Sequence, residues 1–282
     1  MFSVATPTRN ALSKLKRCVG SVRGQDGVSV EHLVQDACSD DGTVEWLHSQ
    51  PGLQTASESD SGMYDAINKA WARSCGSILS WLNSDEQYLP GVLAIVAAYF
   101  EEHPDVDVLF GDYIVCDAVG APIALRREIP FRRVYVANSF LYAYSCTMFY
   151  RRRLYQSGLL KLDPSLRYAA DKDMLLRLEA HGVRIRRLPH YVALFGIDGT
   201  NLSAHAQVAA EAELVRRRHG AFGNPLARRT VLALRRAERL LSGGYARRST
   251  DYRFALDEVP NYLDVKATRI GGRYALNDGV MR

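Results

Sequence analysis

Apolar positions recur along the chain with two alternating periods. Residues 2–5 form a short apolar run closed by Thr6-Pro7-Thr8-Arg9-Asn10, which predicts a strand, a loop and a helix N-cap at Asn10. Leu12, Leu15, Cys18, Val19 and Val22 then share one helical face, and Gly24 closes the segment. The pair repeats as a strand over 28–34, a polar turn over 36–43 and a short helix over 44–48; residues 53–56 add a brief third strand. Met63, Ala66, Ile67, Ala70 and Trp71 predict a helix, residues 78–82 a fourth strand, and Pro90 opens a helix with Leu93, Val96, Ala97 and Phe100 inward. A strand over 107–115 follows. Strands alternating with helices imply a mostly parallel, doubly wound α/β sheet, with ligands beyond the carboxyl ends of its strands.

Residues 118–160 are aromatic and Arg-rich, and their periodicity is too weak to predict elements. Beyond them the pattern predicts helices over 171–181, 203–219 and 225–241 and a strand over 188–195, with no pattern in 243–282. The helix over 225–241 is amphipathic: Leu226, Thr230, Ala233, Leu234, Ala237 and Leu241 lie on one stripe, with Arg228, Arg235, Arg236 and Arg239 flanking or opposing it. Two readings follow. The stripe docks on the domain and the arginines are solvated, or the helix contacts an anionic membrane.

Composition narrows the class. Of 282 residues, 47% are hydrophobic and 24% charged, the balance of a folded globular chain rather than a disordered one. The longest apolar run, over 91–100, is about half of what crosses a bilayer. The first eight residues lack the plan of an export signal, so a cytoplasmic location, peripheral to the membrane under the second reading, is expected. Cys18, Cys38, Cys75, Cys116 and Cys146 include no Cys-x-x-Cys pair, so free thiols are expected. The net charge is +5, yet residues 224–248 alone carry seven arginines against one acid. That concentration suggests an acidic partner surface, lipid before nucleic acid.

Chemistry is sought at the strand ends, where Asp36, Asp85 and Asp171 recur. A diphosphate leaving group needs its charge offset by a divalent cation with oxygen ligands, a task that suits such carboxylates. Among the seven histidines there is no His-x-x-x-His spacing, and Gly-x-Ser-x-Gly, P-loop and Gly-x-Gly-x-x-Gly motifs are absent.

Four ordered runs carry a resemblance: Thr6-Pro7-Thr8-Arg9-Asn10, residues 36–43, residues 57–69 (containing Asp60-Ser61-Gly62-Met63-Tyr64-Asp65), and Leu82-Asn83-Ser84-Asp85-Glu86 running on to Gly91. Together they resemble glycosyltransferase family 2, over residues 2–220 and most closely up to Asp112. The resemblance implies a GT-A, Rossmann-like sheet flanked by helices over 1–222, followed by a basic C-terminal extension over 223–282, helical and then irregular. It implies an inverting transfer from a nucleotide sugar, UDP by family habit, to a glycan or lipid-linked hydroxyl, with Mn2+ or Mg2+ as cofactor and no nucleic-acid partner. By position, Thr6, Pro7, Thr8 and Asp36 hold the nucleoside, and Asp60 and Asp65 meet sugar hydroxyls, although helix capping is an equal reading for Asp60. Asn83-Ser84-Asp85 stands where the family has its Asp-x-Asp metal motif, so Asp85 takes the metal while Asn83 and Ser84 contact the donor; Glu86 is a weaker ligand. Asp171, in Ala170-Asp171-Lys172-Asp173, is the general base implied for the acceptor hydroxyl, and Asp173 is expected to be exposed or capping. His205, after a loop resembling the family's Gly-Gly-x-Ser segment, is a lesser phosphate or metal candidate. The loss of the first acid of the metal motif leaves open a non-catalytic sugar-nucleotide binder. A sugar-1-phosphate nucleotidyltransferase is a further alternative, although residues 6–10 lack its glycine-rich basic loop.

Overall fold

The computed structural model describes residues 1–197 and 207–274. The chain opens β1 (Phe2–Thr8), α1 (Leu12–Arg23), β2 (Val30–Asp36), α2 (Thr43–His48), β3 (Leu53–Ser57), α3 (Met63–Ala72) and β4 (Ile78–Trp81). It continues through β5 (Glu86–Tyr88), α4 (Val92–Glu102), β6 (Val108–Cys116), β7 (Pro122–Arg126), α5 (Arg133–Asn138), β8 (Met148–Arg151), α6 (Arg152–Gln156), α7 (Ala170–Ala180) and β9 (Ile185–Gly196). Last come α8 (Gln207–Arg218), α9 (Pro225–Leu241), β10 (Arg248–Ala255) and β11 (Tyr262–Ile270).

Nine strands form one sheet in the order β3-β2-β1-β4-β8-β6-β9-β5, with β7 beside β6. Its first half, β3-β2-β1-β4, is parallel throughout, as the alternation predicts. The second half is mixed. The segment without predicted elements supplies β8, which wedges antiparallel between β4 and β6, while β6 and β9 pair in parallel and β5 runs antiparallel to β9.

Strand alternation sorts side chains into two layers. Ala5, Leu79, Trp81, Val108 and Phe110 pack on the side of α3 and α7, where Trp71 meets Trp81 edge-on at 5.4 Å. Phe2, Val4, Ile78, Leu109 and Phe149 pack on the other side with α1 and α4. Register then delivers the site. Ala5 pairs with Trp81 and Thr8 with Asp36, so the chain leaving β4 runs past the end of β1, where Leu82 N–H donates to Ala5 O at 3.0 Å and Ser84 Oγ to Pro7 O at 3.0 Å.

Three expectations are corrected. Asn10 does not cap α1; it adopts a left-handed φ of 49° and its Oδ1 accepts from Asp40 N–H at 3.0 Å. The carboxylate that meets the start of α1 comes from the next loop, Asp41 Oδ2 accepting from Leu12 N–H at 3.1 Å. Residues 248–270, patternless in sequence, form an antiparallel hairpin whose Tyr252, Phe254 and Ala267 are buried with α1 and β5. Their apolar face is completed by residues more than a hundred positions away, so no local period marks it.

The third correction is α9, whose orientation is the reverse of the docked-stripe reading. Arg235 and Arg239 are 2% and 0% exposed, whereas Leu226, Leu234, Leu240 and Leu241 are 56–88% exposed. Arg235 lies over the rings of Phe140 and Tyr142 at 4.1 and 4.9 Å, and Arg239 over Tyr245 at 4.7 Å. The buried Glu128 completes the seat: Arg126 reaches it at 2.7 Å, Arg239 at 3.6 Å and Arg235 at 4.0 Å.

Candidate active site

A cleft of about 1280 Å³ opens at the carboxyl ends of β1 and β4. Its walls come from the β1 loop, the start of α3, the β4–β5 turn, the segment 138–145, and α7, α8 and α9. Of the residues proposed from sequence, Pro7, Thr8, Asp60, Asn83, Ser84, Asp85 and Asp171 all line it, although their positions span more than 160 residues.

Thr6, Asp36 and Asp65 do not line it. Thr6 lies deeper in β1, fully buried, with Oγ1 at 2.8 Å from His32 Nε2. The Asp36 carboxylate is spent on its own loops, accepting from Ser39 N–H at 3.0 Å, Ser39 Oγ and Ser57 Oγ at 2.6 Å. Asp65 accepts from Ser61 N–H at 3.0 Å and faces Lys69 at 3.7 Å. Asp60 combines both of its readings: Oδ1 accepts from Gly62 N–H at 2.9 Å, ordering the turn before α3, and the residue lines the cleft. His205 lies outside the described residues.

The β4–β5 turn presents Asp85 between Asn83 and Glu86. Asn83 N–H donates to Glu86 Oε2 at 2.7 Å. Burial, and after it the Asp85 charge, pushes the Glu86 carboxyl up to about 8. The last residue of β9 fixes this turn from below, since a Cβ at Gly196 would stand 2.7 Å from Asp85 O. Thr8 Oγ1 and Asn83 Oδ1 are buried with no hydrogen-bond partner among the described residues. Nor, among the described residues, do three His, Cys, Asp or Glu side chains converge there as a metal cage. One carboxylate with neighbouring oxygens suits a hard cation whose coordination is completed by substrate phosphate and water, and Asp85 beside the orphaned Asn83 Oδ1 fits that donor set.

Also in the lining, Asp171 sits in the first turn of α7, where Lys172 N–H donates to its Oδ1 at 2.7 Å and the Tyr64 hydroxyl also bonds to it. Burial raises its carboxyl above the ordinary value despite those bonds. The loop entering α7 is fixed by Glu211 of α8, which accepts from Arg167 and Tyr168 N–H at 2.9 and 2.7 Å. Lys172 is buried, with Nζ donating to Ser139 O at 3.0 Å; burial, then the neighbouring Arg216 charge, lowers it to about 8. Asp173 corrects another expectation: it is 1% exposed and bound by Arg177 at 2.9 Å, His219 at 3.0 Å and Arg218 at 3.2 Å. Burial opposes its ionisation, but these partners outweigh it and hold the carboxyl below its usual range.

Arg216, Arg228 and Arg229 are among the cleft residues that sequence reasoning missed. Among the described residues they bring the basic lining to seven, with Arg9, Lys14, Arg167 and Lys172, against Asp60, Asp85, Glu86 and Asp171. Among the described lining residues cations outnumber acids, although Arg216 and Arg228 share the Glu213 carboxylate at 2.9 Å, and this balance suits an anionic ligand. The tract that supplies Arg228 and Arg229 was visible in sequence as a basic cluster, but its proximity to the motifs was not.

Comparison with known proteins agrees with this geometry. The Glycosyl transferase family 2 profile matches residues 3–159. An uncharacterized glycosyltransferase of Mycobacterium tuberculosis is 31% identical over 215 residues, covering 74% of this chain and 79% of that protein. A PGL/p-HBAD biosynthesis glycosyltransferase of Mycobacterium bovis is 32% identical over 121 residues, 41% of this chain; the match spans about half of that relative, 47% of its length. Among solved structures, S. aureus TarS 1–349 in complex with UDP-GlcNAc superposes with a TM-score of 0.64 at 20% identity, covering 85% of this chain and 72% of that one. Mannosyltransferase PcManGT from Pyrobaculum calidifontis, in complex with GDP-Man and Mn2+, gives 0.59 at 16% identity, covering 86% and 74%. On the profile match over more than half of its length and the relative matched over 74% of it, the chain belongs to glycosyl transferase family 2, and it has the GT-A fold.

Proposed function

We propose that the chain transfers a sugar from a nucleotide-sugar donor, a UDP-sugar first, to a hydroxyl of a glycan or lipid-linked acceptor, with inversion at the anomeric carbon. The observation that carries this reading is the gathering of two acids from distant parts of the chain in the lining of one cleft: Asp85 on the β4–β5 turn and Asp171 on α7. TarS was solved with UDP-GlcNAc and PcManGT with GDP-Man and Mn2+, which supports a nucleotide-sugar donor for a chain of the same fold.

Under this reading Asp171 accepts the proton of the acceptor hydroxyl as its oxygen attacks the anomeric carbon, and the bond to the nucleoside diphosphate breaks. A divalent cation held at Asp85, with Asn83 and Ser84 alongside, would offset the charge of the departing diphosphate. Pro7, Thr8 and Asp60 line the donor side, whereas Asp36 and Asp65 support it by ordering the loops and Thr6 by tying β1 to His32 of β2. Arg216 and Arg228 add positive charge where the diphosphate leaves. Asn83, standing where the family motif has an acid, favours a second reading: a non-catalytic sugar-nucleotide binder.

Titration calorimetry with UDP and manganese, alongside hydrolysis and transfer of labelled nucleotide sugars, tests both readings. Asp85→Ala is expected to abolish the manganese-dependent component of UDP binding, and undiminished affinity overturns the metal assignment. Donor binding without turnover on any acceptor would establish the binder instead.

A further inference from the structure

We infer that the outer face of α9 is a docking surface for an anionic phospholipid bilayer. The helix is seated by its arginines, so its apolar stripe points away from the domain: Leu226, Leu234, Leu240 and Leu241 are 69%, 56%, 62% and 88% exposed, with Ala233 and Ala237 exposed between them. Arg229 and Arg236, also exposed, flank this stripe. The helix's single acid, Glu238, is turned to the protein, where Arg132 holds it at 2.8–3.0 Å and the Tyr135 hydroxyl donates at 2.8 Å. The outward face is thus apolar with a cationic border and no acid, and its 17 residues extend about 25 Å, the form of a helix that lies in a membrane interface. Charge decides the occupant. An anionic lipid surface complements Arg229 and Arg236, whereas a second copy packed face to face would set the same cations against each other.

Position gives the face a use that rests on the transfer reading. Pro225, Arg228, Arg229 and Leu232 of α9 also line the cleft, so a bilayer on the outer face lies beside the cleft wall. An acceptor anchored by a lipid tail could enter from the membrane with its hydroxyl directed inward.

Co-sedimentation of the full chain with vesicles of phosphatidylcholine plus phosphatidylglycerol, and of phosphatidylcholine alone, tests the inference. Binding to the anionic vesicles at low salt is expected, with a loss of at least about tenfold in the Leu234→Asp, Leu241→Asp double variant. Both positions are exposed, so circular dichroism and donor hydrolysis in solution should match the parent. Absence of vesicle binding by the parent, or equal binding by the variant, overturns the inference. So does a dimer, seen by sedimentation equilibrium, that the variant abolishes, which would assign the face to a second copy. Loss of donor hydrolysis in the parent would sink the transfer reading while leaving the vesicle result intact.

Discussion

Asp171 combines two properties that a general base requires: hydrogen-bond partners that fix its carboxylate, and burial that raises its proton affinity. Because the raised group must be ionised to act, turnover should fall as pH drops through a midpoint above the ordinary aspartate value of about 3.9. Asp171→Asn should leave donor affinity nearly unchanged and reduce transfer by about 10²-fold or more. A pH–rate profile of parent and variant checks this, and an acid limb that persists in the variant would assign the titration elsewhere. Asp85 and Asp171 were legible because each sits in a run of family-like residues, where chemistry and local sequence coincide. Arg216 and Arg228 were not. A surface arginine carries no local mark of its target, and these reach the cleft from α8 and α9 through a fold that the motifs do not encode.

At the scale of the element, α9 marks where the sequence reading was half right. Periodicity identified the helix over Pro225–Leu241 and its two faces. It cannot say which face turns inward, because that depends on what waits on the domain: here Phe140, Tyr142 and Tyr245 for the guanidinium planes and Glu128 for their charge. Glu128 is the one carboxylate within 4.0 Å of Arg126, Arg235 and Arg239 among the ion pairs of the described residues. Removing one partner of a buried ionic group leaves the rest uncompensated, so Glu128→Ala should cost about 3–5 kcal/mol of stability. Leu234→Ala, on the exposed face, should stay within about 0.5 kcal/mol. Urea unfolding of the two variants tests the inverted seat; the opposite ranking would mean that the leucines, not the arginines, hold the helix.

Across the whole molecule, the parallel half of the sheet was readable because each βα unit is local in sequence. The mixed half was not, since β8 enters between β4 and β6 from a segment whose buried and half-buried aromatic residues show no period. The hairpin β10–β11 is the extreme case. It packs so tightly on α1 that a Cβ at Gly20 would stand 1.9 Å from Asp257 O, and one at Gly24 would stand 1.7 Å from the Tyr262 hydroxyl. Gln87 joins in from β5, accepting from Ala255 N–H at 2.8 Å.

That clasp bears on how the chain is made. The ribosome delivers α1 some 230 residues before the hairpin that covers it, roughly 12–46 s at about 5–20 residues per second. Throughout that interval the face of α1 around Cys18 and Val22 lacks the cover of Tyr252 and Phe254. Nascent chains stalled with only residues 1–222 outside the tunnel are therefore expected to be cut by protease near α1, and chains with the hairpin also emerged to resist; equal protection would show that the domain closes without it. The nascent polypeptide would then depend on chaperones holding α1 until the hairpin has been translated.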